Sequence, residues 1–181
     1  MWRKRFRSED QKQRVVKDVE KARERTMNRA VKLLSAKARS VGELRERLLE
    51  KLWTNEEIVG RVIAKLEEYG YLDDQKYATE LALSKLRQKP QGKRRLQQAM
   101  SQRKLDRETL DGAIQSAFEK MPEGELIDRA IEKRLRLKGR PETRDETKKF
   151  YDYLRRQGFG FDLIRDKMAA VARLPSEDEC A

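Results

Sequence analysis

Asp73 and Asp74 are the carboxylates most worth weighing as chemistry, because adjacent acids can hold a magnesium ion or divide acid and base work between them. They close the run Gly70-Tyr71-Leu72-Asp73-Asp74, which leads into a helix. A carboxylate at that place caps free amides and sits well in the helix dipole, so capping is the expected role. The chain has no histidine, which removes every nucleophile or metal scheme built on imidazole. Its lone cysteine, Cys180, allows neither a thiolate cluster nor an internal disulfide, and fits a reducing cytoplasm. No glycine loop of the phosphate-cradling kind is present, and Gly158-Phe159-Gly160 reads as a turn. The expectation is a protein that is not an enzyme and holds no metal or cofactor. A magnesium-dependent nuclease working through Asp73 and Asp74 is the enzymatic rival, and it lacks a wider acidic constellation.

Basic side chains offer more. Lys85, Arg87, Lys89, Lys93, Arg94, Arg95, Arg103, Lys104 and Arg107 face one acid, Asp106, which gives +8 in 23 residues. Such a face draws phosphate by Coulomb steering and counterion release, whereas a surface built only for solubility mixes its signs. Arg45 and Arg47 are secondary candidates for the same contact, and a second basic stretch covers residues 129–144. Tyr69, Tyr71 and Tyr77 could stack on bases, but at least two of them are expected to pack in a joint.

The elements that carry these residues follow from a repeated apolar frame. Leu44, Leu48, Trp53, Ile58, Val62 and Leu66 recur as Leu96, Met100, Leu105, Leu110, Ile114 and Phe118, shifted by 52 residues. They recur again as Phe150, Leu154, Phe159, Ile164, Met168 and Ala172, a further 54 on. Residues four apart share a helix face, so the first two positions mark one helix and the last three another, with the third position plugging the turn between them. All eighteen are expected in the core, and the third copy, ending in the small Ala172, is expected to be the least firmly packed. A further helix precedes each pair, at about 26–37, 75–86 and 123–138. Ser40 with Glu43, Thr54 with Glu57 and Thr143 with Glu146 predict capping boxes, Asp106 a simpler cap, and Gly70 a helix end.

The fold class predicted is therefore all-α, an elongated tandem array of three three-helix repeats with a basic N-terminal extension. Its segments are an extension at 1–25, repeats at 26–74, 75–122 and 123–173, and an acidic tail at 174–181. With 37% apolar and 42% charged residues, several small cores suit the composition better than one large one. Residues 1–29 carry eleven basic and five acidic residues, half of the chain's net +12. The run Trp2-Arg3-Lys4-Arg5-Phe6-Arg7 reads as a flexible arm, and residues 12–25 as a solvated helix leading into the first repeat. No apolar stretch is long enough for a signal peptide or a membrane span, so a soluble, cytoplasmic chain with no membrane partner is expected.

Ser40-x-x-Glu43-Leu44, Gly70-Tyr71-Leu72-Asp73-Asp74 followed by Tyr77-Ala78, Gly92-x-x-x-Leu96, and Tyr153-Leu154-x-x-x-Gly158-Phe159 together resemble the RecX family, bacterial modulators of the RecA recombinase. The resemblance covers residues 27–173 and departs at Lys104-Leu105-Asp106, where the family commonly has a Lys-Gly-Ile turn. It implies three tandem three-helix units and a non-enzymatic role. That role is to bind RecA filaments on DNA, often in the filament groove, and to limit filament growth, ATP hydrolysis and strand exchange. The partners implied are the RecA filament and single- and double-stranded DNA, bound without sequence preference. A monomer is expected. A helix-turn-helix transcription regulator is the rival from another class, since each short helix pair has a compatible length, but three copies in one chain suit half-site reading poorly.

Overall fold

In a computed structural model, residues 14–173 are described, with side chains to residue 171; the arm at 2–7 and the tail at 174–181 lie outside them. The described residues are helical throughout, with no strand. The helices are α1 (Val19–Ala36), α2 (Val41–Leu49), α3 (Glu56–Glu68), α4 (Asp74–Gln88), α5 (Lys93–Met100), α6 (Arg107–Lys120), α7 (Glu123–Lys138), α8 (Arg144–Arg156) and α9 (Phe161–Arg173). A short 3₁₀ turn, Ser101–Arg103, follows α5. No described helix is long and apolar enough to cross a membrane. The solvated helix expected over residues 12–25 is, among the described residues, helical only from Val19, where Asp18 accepts the Lys21 amide, and it is continuous with the first helix of the repeat and packed at Ala22 and Thr26.

Two compact units are present. Among the described residues the first comprises residues 14–77 and 103–109, the second residues 78–102 and 110–173. In the first, α1, α2 and α3 pack on one another around Ala30, Leu44, Leu48, Leu49, Val59, Val62, Ile63, Leu66 and Leu72. Burying a leucine or isoleucine side chain contributes roughly 1.5–3 kcal/mol, so these residues dominate the local stability. In the second unit, α7, α8 and α9 pack together, and Leu96, Met100, Ile114, Phe150, Leu154, Phe159 and Ile164 are fully or nearly fully buried.

Thirteen of the eighteen frame positions are buried, three are half-buried, Trp53 is exposed, and the Ala172 side chain lies outside the described residues. Trp53, expected to plug a turn, is 39% exposed, and its neighbour Leu52 is 69% exposed. Phe159 at the equivalent place is buried and Leu105 half-buried. Those later turns lie against the preceding repeat, whereas among the described residues only residues 14–18 come before the first helix of repeat 1. Leu110 and Phe118 are half-buried, and α9 is held by Ile164, Met168 and Val171.

Helix starts follow the capping chemistry at Ser40–Glu43 and Thr143–Glu146, where both halves of each box form. Asp106 accepts the Thr109 amide, as expected. The box expected at Thr54–Glu57 does not form. Thr54 is buried and its hydroxyl accepts from the Thr26 hydroxyl at 3.1 Å, so Asn55 caps α3 instead through the Ile58 amide. Gly70 and Gly139 end their helices in the left-handed region at φ 70° and 72°.

Candidate functional site

Asp73 and Asp74 are occupied by structure. Asp73 caps α4 by accepting the Lys76 amide at 2.8 Å, and an Asp74 oxygen accepts the Val41 amide at 2.8 Å. Burial raises the Asp74 carboxyl above its ordinary value, the Val41 bond opposes this, and Asp106, Asp73 and Glu43 add repulsion. Among the described residues no three acidic or thiol side chains group as metal ligands.

Asp74 belongs to a junction built twice from equivalent parts, once in each compact unit. In the first, the Ser40 hydroxyl donates to the Arg103 carbonyl at 2.5 Å, the Val41 amide donates to Asp74, and Arg103 Nη1 lies 3.2 Å from Glu43 Oε1. In the second, the Gly92 amide donates to the Gln157 carbonyl at 3.0 Å and the Lys93 amide to Glu123 at 3.0 Å. Arg95 Nη1 there donates to Gln157 Oε1 at 3.1 Å and to the Arg156 carbonyl at 3.0 Å. Counted from the frame, Ser40 and Gly92 are equivalent. So are Val41 and Lys93, Glu43 and Arg95, and Arg103 and Gln157. Each junction sets the start of a repeat's second helix against the turn of the next repeat.

This geometry sorts the predicted basic residues. Arg95 and Arg103 are junction residues, and Lys104, at φ 54°, has its ammonium 2.6 Å from Glu46. Arg107 makes interactions of its own. Arg45 pairs with Glu56 at 3.0 Å and Arg47 with Glu50 at 3.0 Å, both at partly exposed positions where such pairs contribute little. The residues left are Lys85, Arg87 and Lys89 at the end of α4, and Lys93 and Arg94 at the start of α5. Among the described residues these five side chains have no ion-pair partner, and all but the half-buried Lys85 are exposed. Lys93 and Arg94 stand in the first turn of a helix that has no acid of its own there, against the sense of its dipole, and the carboxylate at that start is Glu123, bonded to the Lys93 amide. Five cationic side chains without an ion pair, on the end of one helix and the start of the next, are suited to an incoming anion.

The tyrosines divide otherwise than expected. Tyr77 is half-buried with its hydroxyl 3.4 Å from Glu43, but Tyr69 and Tyr71 are 56% and 70% exposed. They form an edge-to-face pair with centroids 6.5 Å apart, and the Lys65 ammonium lies 5.5 Å from the Tyr69 ring centre. The Gly70 turn splays the pair outward, which the spacing alone did not reveal.

Comparison with known proteins gives family matches along the first two repeats. A family model described as RecX, first three-helix domain, matches residues 27–66, and one described as RecX, second three-helix domain, matches residues 73–114. The regulatory protein RecX of Chlorobium limicola is 31% identical over 151 residues, covering 83% of this chain and 91% of the relative. That of Chlorobaculum tepidum is 30% identical over 146 residues, covering 80% and 87%. The crystal structure of RecX from Lactobacillus salivarius superposes with a TM-score of 0.75 at 19% identity, covering 86% of this chain and 99% of that one. The shared fold, the two matched domains and the level of identity along most of both lengths show that this chain belongs to the RecX family.

Proposed function

We propose that this chain is a cytoplasmic, monomeric, non-catalytic regulator that binds RecA filaments on DNA and limits their growth, ATP hydrolysis and strand exchange. The observation that carries the binding role is the unpaired cationic corner of Lys85, Arg87, Lys89, Lys93 and Arg94. It supports contact with phosphate or with an acidic filament surface, while the junction cations hold the repeats. The exposed Tyr69–Tyr71 pair adds a stacking surface for single-stranded bases. Spreading weak contacts over several repeats raises avidity where they engage together.

The test is RecA ATPase on single-stranded DNA with the chain added below stoichiometry. Inhibition is expected, and the triple variant Lys89→Glu, Lys93→Glu, Arg94→Glu should inhibit less while keeping its helicity. No inhibition by the wild-type chain at any ratio would overturn the reading. Equal inhibition by the folded triple variant would remove the corner from it. Cleavage of DNA with magnesium, abolished by Asp73→Ala, would reinstate the enzymatic rival.

A further inference from the structure

The carbonyl that receives the junction bond lies two residues before the third frame position, at Arg103 in repeat 2 and Gln157 in repeat 3. In repeat 1 the equivalent is Lys51. Among the described residues no repeat precedes it, yet its carbonyl is bonded: Arg14 Nη1 donates to it at 2.6 Å, and to the Thr54 carbonyl at 3.1 Å. The contact is reciprocal, because the Asn55 side-chain amide donates back to the Arg14 carbonyl at 3.2 Å. Val15, Val16, Lys17, Asp18, Leu52 and Trp53 line the shallow cleft at this place.

We propose that residues 14–18 dock on the turn of repeat 1 as the stand-in for a preceding repeat, with the Arg14 guanidinium taking the part played by the Ser40 hydroxyl and the Gly92 amide. A repeat array needs its end faces closed, since an open face offers unpaired groups and apolar surface to any chain that matches it. The replacement is partial. It satisfies the carbonyl but leaves Leu52 and Trp53 exposed, because a single side chain reaches where a whole helix start would lie. In the third repeat the equivalent place is occupied by other means. The third repeat's second helix starts about one turn earlier relative to the frame, so the place equivalent to Ser40 and Gly92 falls on Glu146, whose amide is already bonded to the Thr143 hydroxyl. The Glu146 amide is therefore not free to donate to a second copy's Lys51 carbonyl, and the turn of repeat 1 is filled from within the chain.

Amide hydrogen exchange on the full-length chain tests this. Removing a charged donor from two carbonyls by Arg14→Ala should speed exchange at Lys51, Ile58 and Val59 by about tenfold, while α8 amides stay unchanged. Deletion of residues 1–13, which keeps Arg14, should leave the turn at its wild-type rate. Unchanged exchange at the turn in Arg14→Ala would overturn the proposal, as would an equal rise across all helices, which marks general destabilisation. Faster turn exchange on deleting residues 1–13 would transfer the closing role to that segment. Concentration-dependent dimerisation of Arg14→Ala in sedimentation would show that a second copy is the fitting occupant.

Discussion

A single carboxylate, Asp74, ties pH to the first junction. Burial raises its pKa, chiefly against the Val41 bond, and the nearby Asp106, Asp73 and Glu43 act in the same sense as burial. A carboxyl whose folded pKa exceeds its unfolded one favours the fold when protonated. Its contribution is complete below the unfolded value and is lost as pH rises through the folded value. Ionised Asp74 is therefore a cost at neutral pH. Asparagine keeps an oxygen for the Val41 amide and drops the charge. Asp74→Asn should be at least as stable as wild type in urea at pH 7, with the difference shrinking towards about pH 4, near the ordinary range of aspartate. A pH-independent loss of stability would mean that the junction needs the charge itself. Asp106 and Glu146 have the opposite sign: their cap hydrogen bonds lower both pKa values, so their stabilisation is present at neutral pH and fades as pH falls. The comparison must therefore be made at matched pH.

Among the helices, close approach rests on glycine at two places, Gly42 in the first junction and the facing Gly92 and Gly158 in the second. A Cβ on Gly42 would meet the Lys104 carbonyl oxygen at 2.6 Å, and one on Gly92 would collide with Gly158 and Phe159 backbone. Gly60, in the interior of α3, has nothing within 4 Å of that position. Gly42→Ala and Gly92→Ala should each destabilise by about 1–3 kcal/mol, because backbone cannot move aside as a side chain does. Gly60→Ala should stabilise by about 0.5–1 kcal/mol through reduced chain entropy in the unfolded state. Thermal unfolding of the three variants checks this, and a neutral Gly92→Ala would mean that the second junction is looser than its hydrogen bonds imply. The helices themselves were legible because core positions recur every four residues with their caps. The junctions were not, since their acceptors are main-chain carbonyls, which carry no residue signature. Arg95 and Arg103 likewise read as surface charge, because a pairing across repeats leaves no mark on the local pattern. Trp53 failed for the same reason: what covers a turn is another repeat, not its neighbours in sequence.

For the molecule as a whole, charge decides which binding partners are reached first. The net +12 supplies long-range attraction to any polyanion, and residues 1–13 contribute Arg3, Lys4, Arg5, Arg7 and Lys12 against Glu9 and Asp10. Binding without sequence preference should therefore weaken steeply with salt, each phosphate contact adding roughly 0.7 to the log–log slope on single strands and 0.9 on duplex. Charge reversal at Lys89, Lys93 and Arg94 should flatten that slope by about 2–3 if all three touch phosphate, and deletion of residues 1–13 should flatten it separately. The two effects add if the segment and the corner contact different phosphates. A slope unchanged by the triple reversal, alongside lost RecA inhibition, would assign the corner to acidic protein surface rather than DNA. A strong preference for one duplex that survives added salt would favour the transcription-regulator reading, because contacts to base edges, unlike those to phosphate, do not depend on counterion release.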